Sequence, residues 1–239
     1  MARACADGSY FEINDNGELT MVPGSMGLRT ILYFNQAGTY TFTKAKFPWL
    51  ARVKVRVQGA GGGSAAANAA NGECMAQPGA AGGGYSESLI AASSLGATET
   101  IVVGAGGAAG TTTQAGGAGG SSSFGGFVVA NGGDGGPATS TSGTSLDTHT
   151  GASGPVAGKG DWKQGGDPGS PSIRLNATNA VSGAGGDAVL GFGGQSRAYE
   201  SDGGSGRGAG GGAGGALSFG GSVSGTAGQD GAVIIELYA

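Results

Sequence analysis

Hydrolytic chemistry needs a nucleophile beside a base, and that base is most often histidine. The chain has a single histidine, His149, within Ser145-Leu146-Asp147-Thr148-His149-Thr150. No Gly-x-Ser-x-Gly elbow occurs, and a lone histidine in a Ser/Thr-rich stretch reads as solvated. Gly-x-Gly-x-x-Gly matches fall at 206–211 and 210–215. Neither follows a strand-like run nor opens a helical one, so neither reads as a dinucleotide site. Gly158-Lys159 has Ser153 where a phosphate loop needs glycine. Asp134 and Asp187 sit among glycines but lack the nonapeptide repeat of calcium β-rolls, so they read as turn-holding residues. No carboxylate pair stands out for glycoside hydrolysis. The expectation is therefore a protein that is not an enzyme, with no catalytic residue, no metal and no cofactor.

The rest of the composition asks what could position any functional group at all. Of 239 residues 57 are glycine, against roughly 7% in an average protein. Glycine loses the most backbone entropy on ordering and brings no side chain to pack, so its excess must serve close backbone approach. Disorder of this kind goes with high net charge, whereas the net charge here is −4. Collagen is excluded, because Gly61-Gly62-Gly63 and Gly210-Gly211-Gly212 break a triplet period and prolines number only 7. With 12 scattered Lys and Arg against 16 Asp and Glu, nucleic acid and anionic membranes are not expected partners. Cys5 and Cys74 are too few for a disulfide framework and read as free or buried thiols. The first residues carry no apolar leader run and no stretch is long enough to span a bilayer.

The first 58 residues read as β-structure. Tyr10–Ile13 and Glu18–Val22 flank Asn14-Asp15-Asn16-Gly17, a hairpin signature. Strand-like runs follow at 30–34, 39–43 and 52–57, the last placing Val53, Val55 and Val57 on one face and Arg52, Lys54 and Arg56 on the other. Trp49, beside Pro48, reads as a packing residue of this part. Beyond Gln58 glycine clusters alternate with short β-like runs at 85–90, 99–103 and 127–130, and the chain closes with 232–238. No window has helical periodicity. Extended three-residue-per-turn helices leave their backbone groups unpaired internally. Several can bond side by side where glycine lets them approach, so the predicted fold class is all-β with little or no α-helix: a hairpin and sheet, then a polyglycine II bundle closed by a C-terminal strand.

The ordered set Thr39-Tyr40-Thr41-Phe42, Val53–Gly63, Gly82-Gly83-Gly84-Tyr85, Ile101–Gly107, Gly119–Gly125, Ala130–Gly136 and Gly231–Leu237 resembles the glycine-rich domains of phage tail proteins and tail-fibre tip adhesins, with an Ala/Thr-rich style similar to actinobacterial phage tails. The resemblance spans about 30–239 and implies a β start, a polyglycine II stack and a returning strand, with receptor-reading loops between glycine helices. It divides the chain into 1–29, an attachment or oligomerisation segment, and 30–239, the glycine-rich domain. It further implies a virion tail location reached by lysis, other tail or fibre proteins as partners, and a homo-oligomer (trimer) or a single cap on a trimeric fibre.

Recognition is expected on the interruptions of the glycine frame, since function concentrates on loops held by a scaffold. These are 137–182, with His149, Asp161, Trp162, Lys163 and Arg174, and 187–202, with Phe192, Arg197 and Tyr199. Aromatic rings among polar groups suit sugar faces or protein epitopes. The expected function is non-covalent binding of a host-surface glycan or protein. A purely structural tail component and an ice-binding protein are the alternatives, the latter disfavoured because Thr111-Thr112-Thr113 is a local cluster.

Overall fold

The computed structural model of the chain describes residues 11–22 and 27–239. Its described residues form strands, two short 3-10 turns and no α-helix. The predicted hairpin is present in strands Phe11–Ile13 and Leu19–Met21, paired Phe11 to Met21 and Ile13 to Leu19. Gly17 takes φ +79° at the turn, a left-handed value that disfavours any side chain. Asn14 Oδ1 accepts from the Asn16 and Glu18 amides, both at 3.0 Å, closing the loop. Tyr10 and Cys5 lie outside the described residues.

Two antiparallel sheets then pack face to face. The larger runs Trp162–Gln164, Tyr85–Ala91, Arg52–Gln58, Ala232–Tyr238, Leu28–Phe34 in spatial order. The closing strand thus lies between the first long strands, pairing Val233 to Val57 and to Phe34. The smaller sheet runs Val128–Ala130, Ser122–Phe124, Thr98–Val103, Gly38–Thr43. Period-two alternation delivers the core: Val53, Val55, Val57, Val233, Ile235 and Leu237 from one sheet meet Phe42, Ile101 and Phe124 from the other. Trp49 packs against this core and lies under the Arg29 guanidinium at 4.5 Å. On the outer face of the larger sheet, Lys54 pairs with Glu87 and Arg56 with Glu236.

Register gives this sandwich two distinct ends. Leu28, Tyr238, Arg52 and Ala91 line up at one, here called the base. Phe34, Val233, Val57 and Ser86 line up towards the other, where the glycine segments leave. The composition shift after Gln58 marks that exit. Gln58 is buried and staples the junction: Nε2 donates to the carbonyls of Gly83 and Gly84, both at 2.8 Å, and Oε1 accepts from the Leu190 amide.

The glycine-rich body is a bundle of extended segments with no strand ladder of their own. Along 59–64 successive amides turn to three different neighbours in rotation. Gly59 and Gly62 donate to Gly84 and Ala81, Ala60 and Gly63 to Gly120 and Gly117, and Gly61 and Ser64 to Gln229 and Thr226, at 2.8–3.0 Å. Its carbonyls accept from Gly107 and Gly110, from Gly133 and Gly136, and from Ala213. Repetition every third residue defines a three-residue-per-turn helix, and neighbours on all sides take every amide of 59–64. Segments 77–84 and 210–216 are enclosed in the same way. Glycines recur three apart wherever helices touch: 59 and 62, 79 and 82, 116 and 119, 151 and 154, 166 and 169, 183 and 186. A methyl group at Gly62 would stand under 3.0 Å from the Asp134 carbonyl, and one at Gly79 equally close to that of Ala184. The polyglycine II bundle read from the sequence is therefore present.

Candidate recognition face

The direction of each helix decides where its connection goes. Segments 59–66, 104–110, 131–136, 165–170, 193–195 and 210–216 run away from the sandwich, and 77–84, 115–121, 151–158, 182–187, 203–206 and 225–231 run back. The connections 67–76, 111–114, 137–150, 171–181, 196–202 and 217–224 therefore gather at the far end of the bundle, the tip. Most of them are bonded to one another. Ala67–Asn68 pairs with Ser222–Val223, Met75–Ala76 with Leu217–Ser218, and Asp147–His149 with Ser172–Asn176. Cys74 bridges to Gly143 and Ser201 to Leu217.

This geometry separates the residues singled out in the sequence. His149, Arg174, Arg197 and Tyr199 are at the tip. Asp161, Trp162 and Lys163 are at the sandwich, where Trp162–Gln164 forms an edge strand on Tyr85–Ala91. Trp162 is half exposed and meets the Tyr85 ring edge-on at 5.4 Å, while Asp161 accepts from the Leu89 amide at 3.1 Å. Phe192 is also at the sandwich end, in a short ribbon pairing it with Arg207. The expected single loop 137–182 is thus corrected: it contains one glycine helix running back to the sandwich, an edge strand and a second glycine helix running out again, between two tip loops. Its glycines are spaced three apart rather than clustered, which hides the helices from a search for glycine runs.

At the tip, Arg174 is a structural residue rather than a presented one. It is 5% exposed, and its guanidinium donates to the carbonyls of Ser145 (2.8 Å), Cys74 (2.8 Å) and Thr141, and to Asp147 Oδ2 at 3.1 Å. Asp147 Oδ2 also meets His149 Nε2 at 2.9 Å. Burial opposes ionisation of Asp147, but the His149 bond and charge together with the Arg174 guanidinium outweigh it and hold the carboxyl below its ordinary value. Cys74 is a free, buried thiol, raised by that burial against the lowering effect of Arg174. Arg197 donates to the Asp202 carbonyl at 3.1 Å, and Tyr199 is 66% exposed.

The acids of the tip hold neighbouring loops. Glu200 accepts from the Phe219 amide at 2.8 Å, Asp202 from Ser224 at 2.7 Å, and Glu73 from the Ser142 hydroxyl. Among the described residues no three His, Cys, Asp or Glu side chains come together as a metal site. Asp187, at the sandwich end, accepts from the Gly193 amide at 2.7 Å, the turn-holding role read for it.

What the sequence reading passed over is an apolar face beside these groups. Ser172–Asn176 and Asn179–Val181 form a ribbon whose alternation buries Ser172 and Arg174 and turns Ile173, Leu175 and Val181 outward. Ile173 faces Val181 across the ribbon, and with Leu175, Thr178, Asn179 and Ala198 they line a shallow depression of about 260 Å³. The signal was available as the alternating run Ser172-Ile173-Arg174-Leu175-Asn176, closed by Asn176 Oδ1 on the Thr178 amide at 2.9 Å.

A rigid β-sandwich carrying a glycine-helix post, with its connections gathered at one end, defines a scaffold that displays loops. A family model described as glycine-rich domain matches residues 35–238, and the chain belongs to that family. No curated relative matches the chain at a significant level.

Proposed function

We propose that the protein is a phage tail-fibre tip or minor tail component whose tip face binds a host-surface receptor, a glycan or a protein, without chemistry. The observation that carries the reading is the gathering of the 137–150, 171–181, 196–202 and 217–224 connections into one bonded surface that leaves Ile173, Leu175, Val181 and Tyr199 exposed beside polar groups. Apolar faces rimmed by polar residues are how soluble proteins hold partners. The post beneath is tied on several sides by backbone hydrogen bonds between its helices, so the loops meet a receptor with little ordering cost. Thr111 spends its hydroxyl on the Gln114 amide within one turn, at 3.0 Å, which favours loop display over an ice-matching threonine row.

The test is binding of labelled protein to a panel of intact bacteria and purified cell-wall glycans. Leu175→Asp and Tyr199→Ala should each lower strain-selective binding by at least roughly tenfold, about 1.4 kcal/mol, while Trp162→Ala and Phe192→Ala at the sandwich end leave it unchanged. Failure of the folded wild type to bind any strain would point to a purely structural tail part. Loss confined to the sandwich-end variants would move the site there.

A further inference from the structure

The base of the sandwich and the hairpin that precedes it each expose apolar surface, and their charges are opposite. In the hairpin, Phe11 pairs with Met21 and Ile13 with Leu19, and residues two apart in a strand share a face. All four side chains therefore project from one side, and they are 37%, 41%, 72% and 61% exposed in that order. A two-stranded ribbon is marginal in water without a surface to lie on. The described hairpin segment 11–22 carries Glu12, Asp15 and Glu18 and neither Lys nor Arg.

At the base, the turns after Gly38–Thr43 and Tyr85–Ala91 enclose an open groove of about 470 Å³ lined by Ala45, Phe47, Pro48, Leu50, Ala92 and Ala97. Its rim is basic. Lys44 donates to the carbonyls of Ala92 and Leu95, and Lys46 is exposed beside it. Within one chain the hairpin and groove do not cover each other, since Ile13 and Leu19 are the most exposed of the four.

We propose that the Phe11–Met21 hairpin of one copy docks its apolar face into the base groove of a second copy, its acidic residues against Lys44 and Lys46. Each chain gives a hairpin and offers a groove, so the contact is heterologous and passes from copy to copy, forming a ring where the rotation closes. Exchange of this kind covers both apolar surfaces and orients every tip in the same direction. It is independent of what the tip binds.

Two measurements test it, on the full chain. With Cys5→Ser as background and Cys74 buried, Leu19→Cys and Ala45→Cys together should form covalent dimers and higher species on mild oxidation. A bond within single chains would overturn the second-copy assignment. In sedimentation, the wild type should associate with concentration. Ile13→Glu in the hairpin and Ala45→Glu in the groove should each raise the midpoint concentration at least roughly tenfold, with circular dichroism unchanged. Charge attraction at the rim makes association weaken with salt. A wild type that stays monomeric throughout, or association indifferent to both variants, would overturn the proposal.

Discussion

At the scale of single residues, Asp147 and Arg174 show how a polar pair can be read in two ways. In the sequence both belong to a polar stretch suited to a ligand. In the fold Arg174 is buried and four of its five donors are spent on three carbonyls and on Asp147, tying the 137–150 loop to Cys74 and to the tip ribbon. Asp147 has a depressed folded pKa, so its contribution is present above its unfolded value of about 3.9 and is lost as pH falls through the lower folded value. Amide exchange in 141–149 should therefore accelerate as pH is lowered from about 5 towards 2, after correction for the intrinsic rate. Asp147→Asn should remove most of that dependence, and exchange in 59–64 should not share it. An identical pH response in the variant would show that another acid controls the loop.

At the scale of elements, the glycine helix is stabilised by what is missing from it. Helix 59–64 bonds to its neighbours in three directions and its Gly62 faces the Asp134 carbonyl with no room for a methyl. Gly62→Ala must move a backbone that is itself bonded, so it should destabilise by at least the 1–3 kcal/mol typical of overpacking. Gly126, in a turn between two strands, has open space around its added carbon and its Ala variant should stay within about 0.5 kcal/mol of wild type. Denaturant midpoints of the two variants decide this, and equal midpoints would mean the bundle yields where the geometry says it cannot. Each bundle bond contributes only about 0.5–1.5 kcal/mol net. Their number lets a chain with few large side chains fold.

At the scale of the molecule, enclosure is graded from axis to rim. Segments 59–64, 77–84 and 210–216 have helices on every side, whereas 111–114 and 151–158 lie at the margin. Hydrogen exchange should rank the same way, slowest in those three and in the sandwich core strands, fastest in 111–114. Slow exchange in the sandwich alone, with the axial helices exchanging freely, would mean that the post opens independently of it.

The sequence by itself determined the chemistry of the backbone. Alternating valines at 53, 55 and 57 could only be one face of a strand, Asn14–Gly17 could only be a tight turn, and glycine in such excess had to mean helices in close approach. The seven-residue closing strand 232–238 was legible as well, as a local β-branched apolar run broken only by Glu236. Only the tertiary structure decided which way each glycine helix runs, because an extended glycine segment has no side-chain pattern that carries direction. That direction sent His149, Arg174, Arg197 and Tyr199 to the tip and Asp161, Trp162, Lys163 and Phe192 to the sandwich, although 149 to 163 is a short step along the chain. It also buried Arg174 while turning Ile173 and Leu175 outward, a choice of face that depends on which surface of a small ribbon meets the bundle.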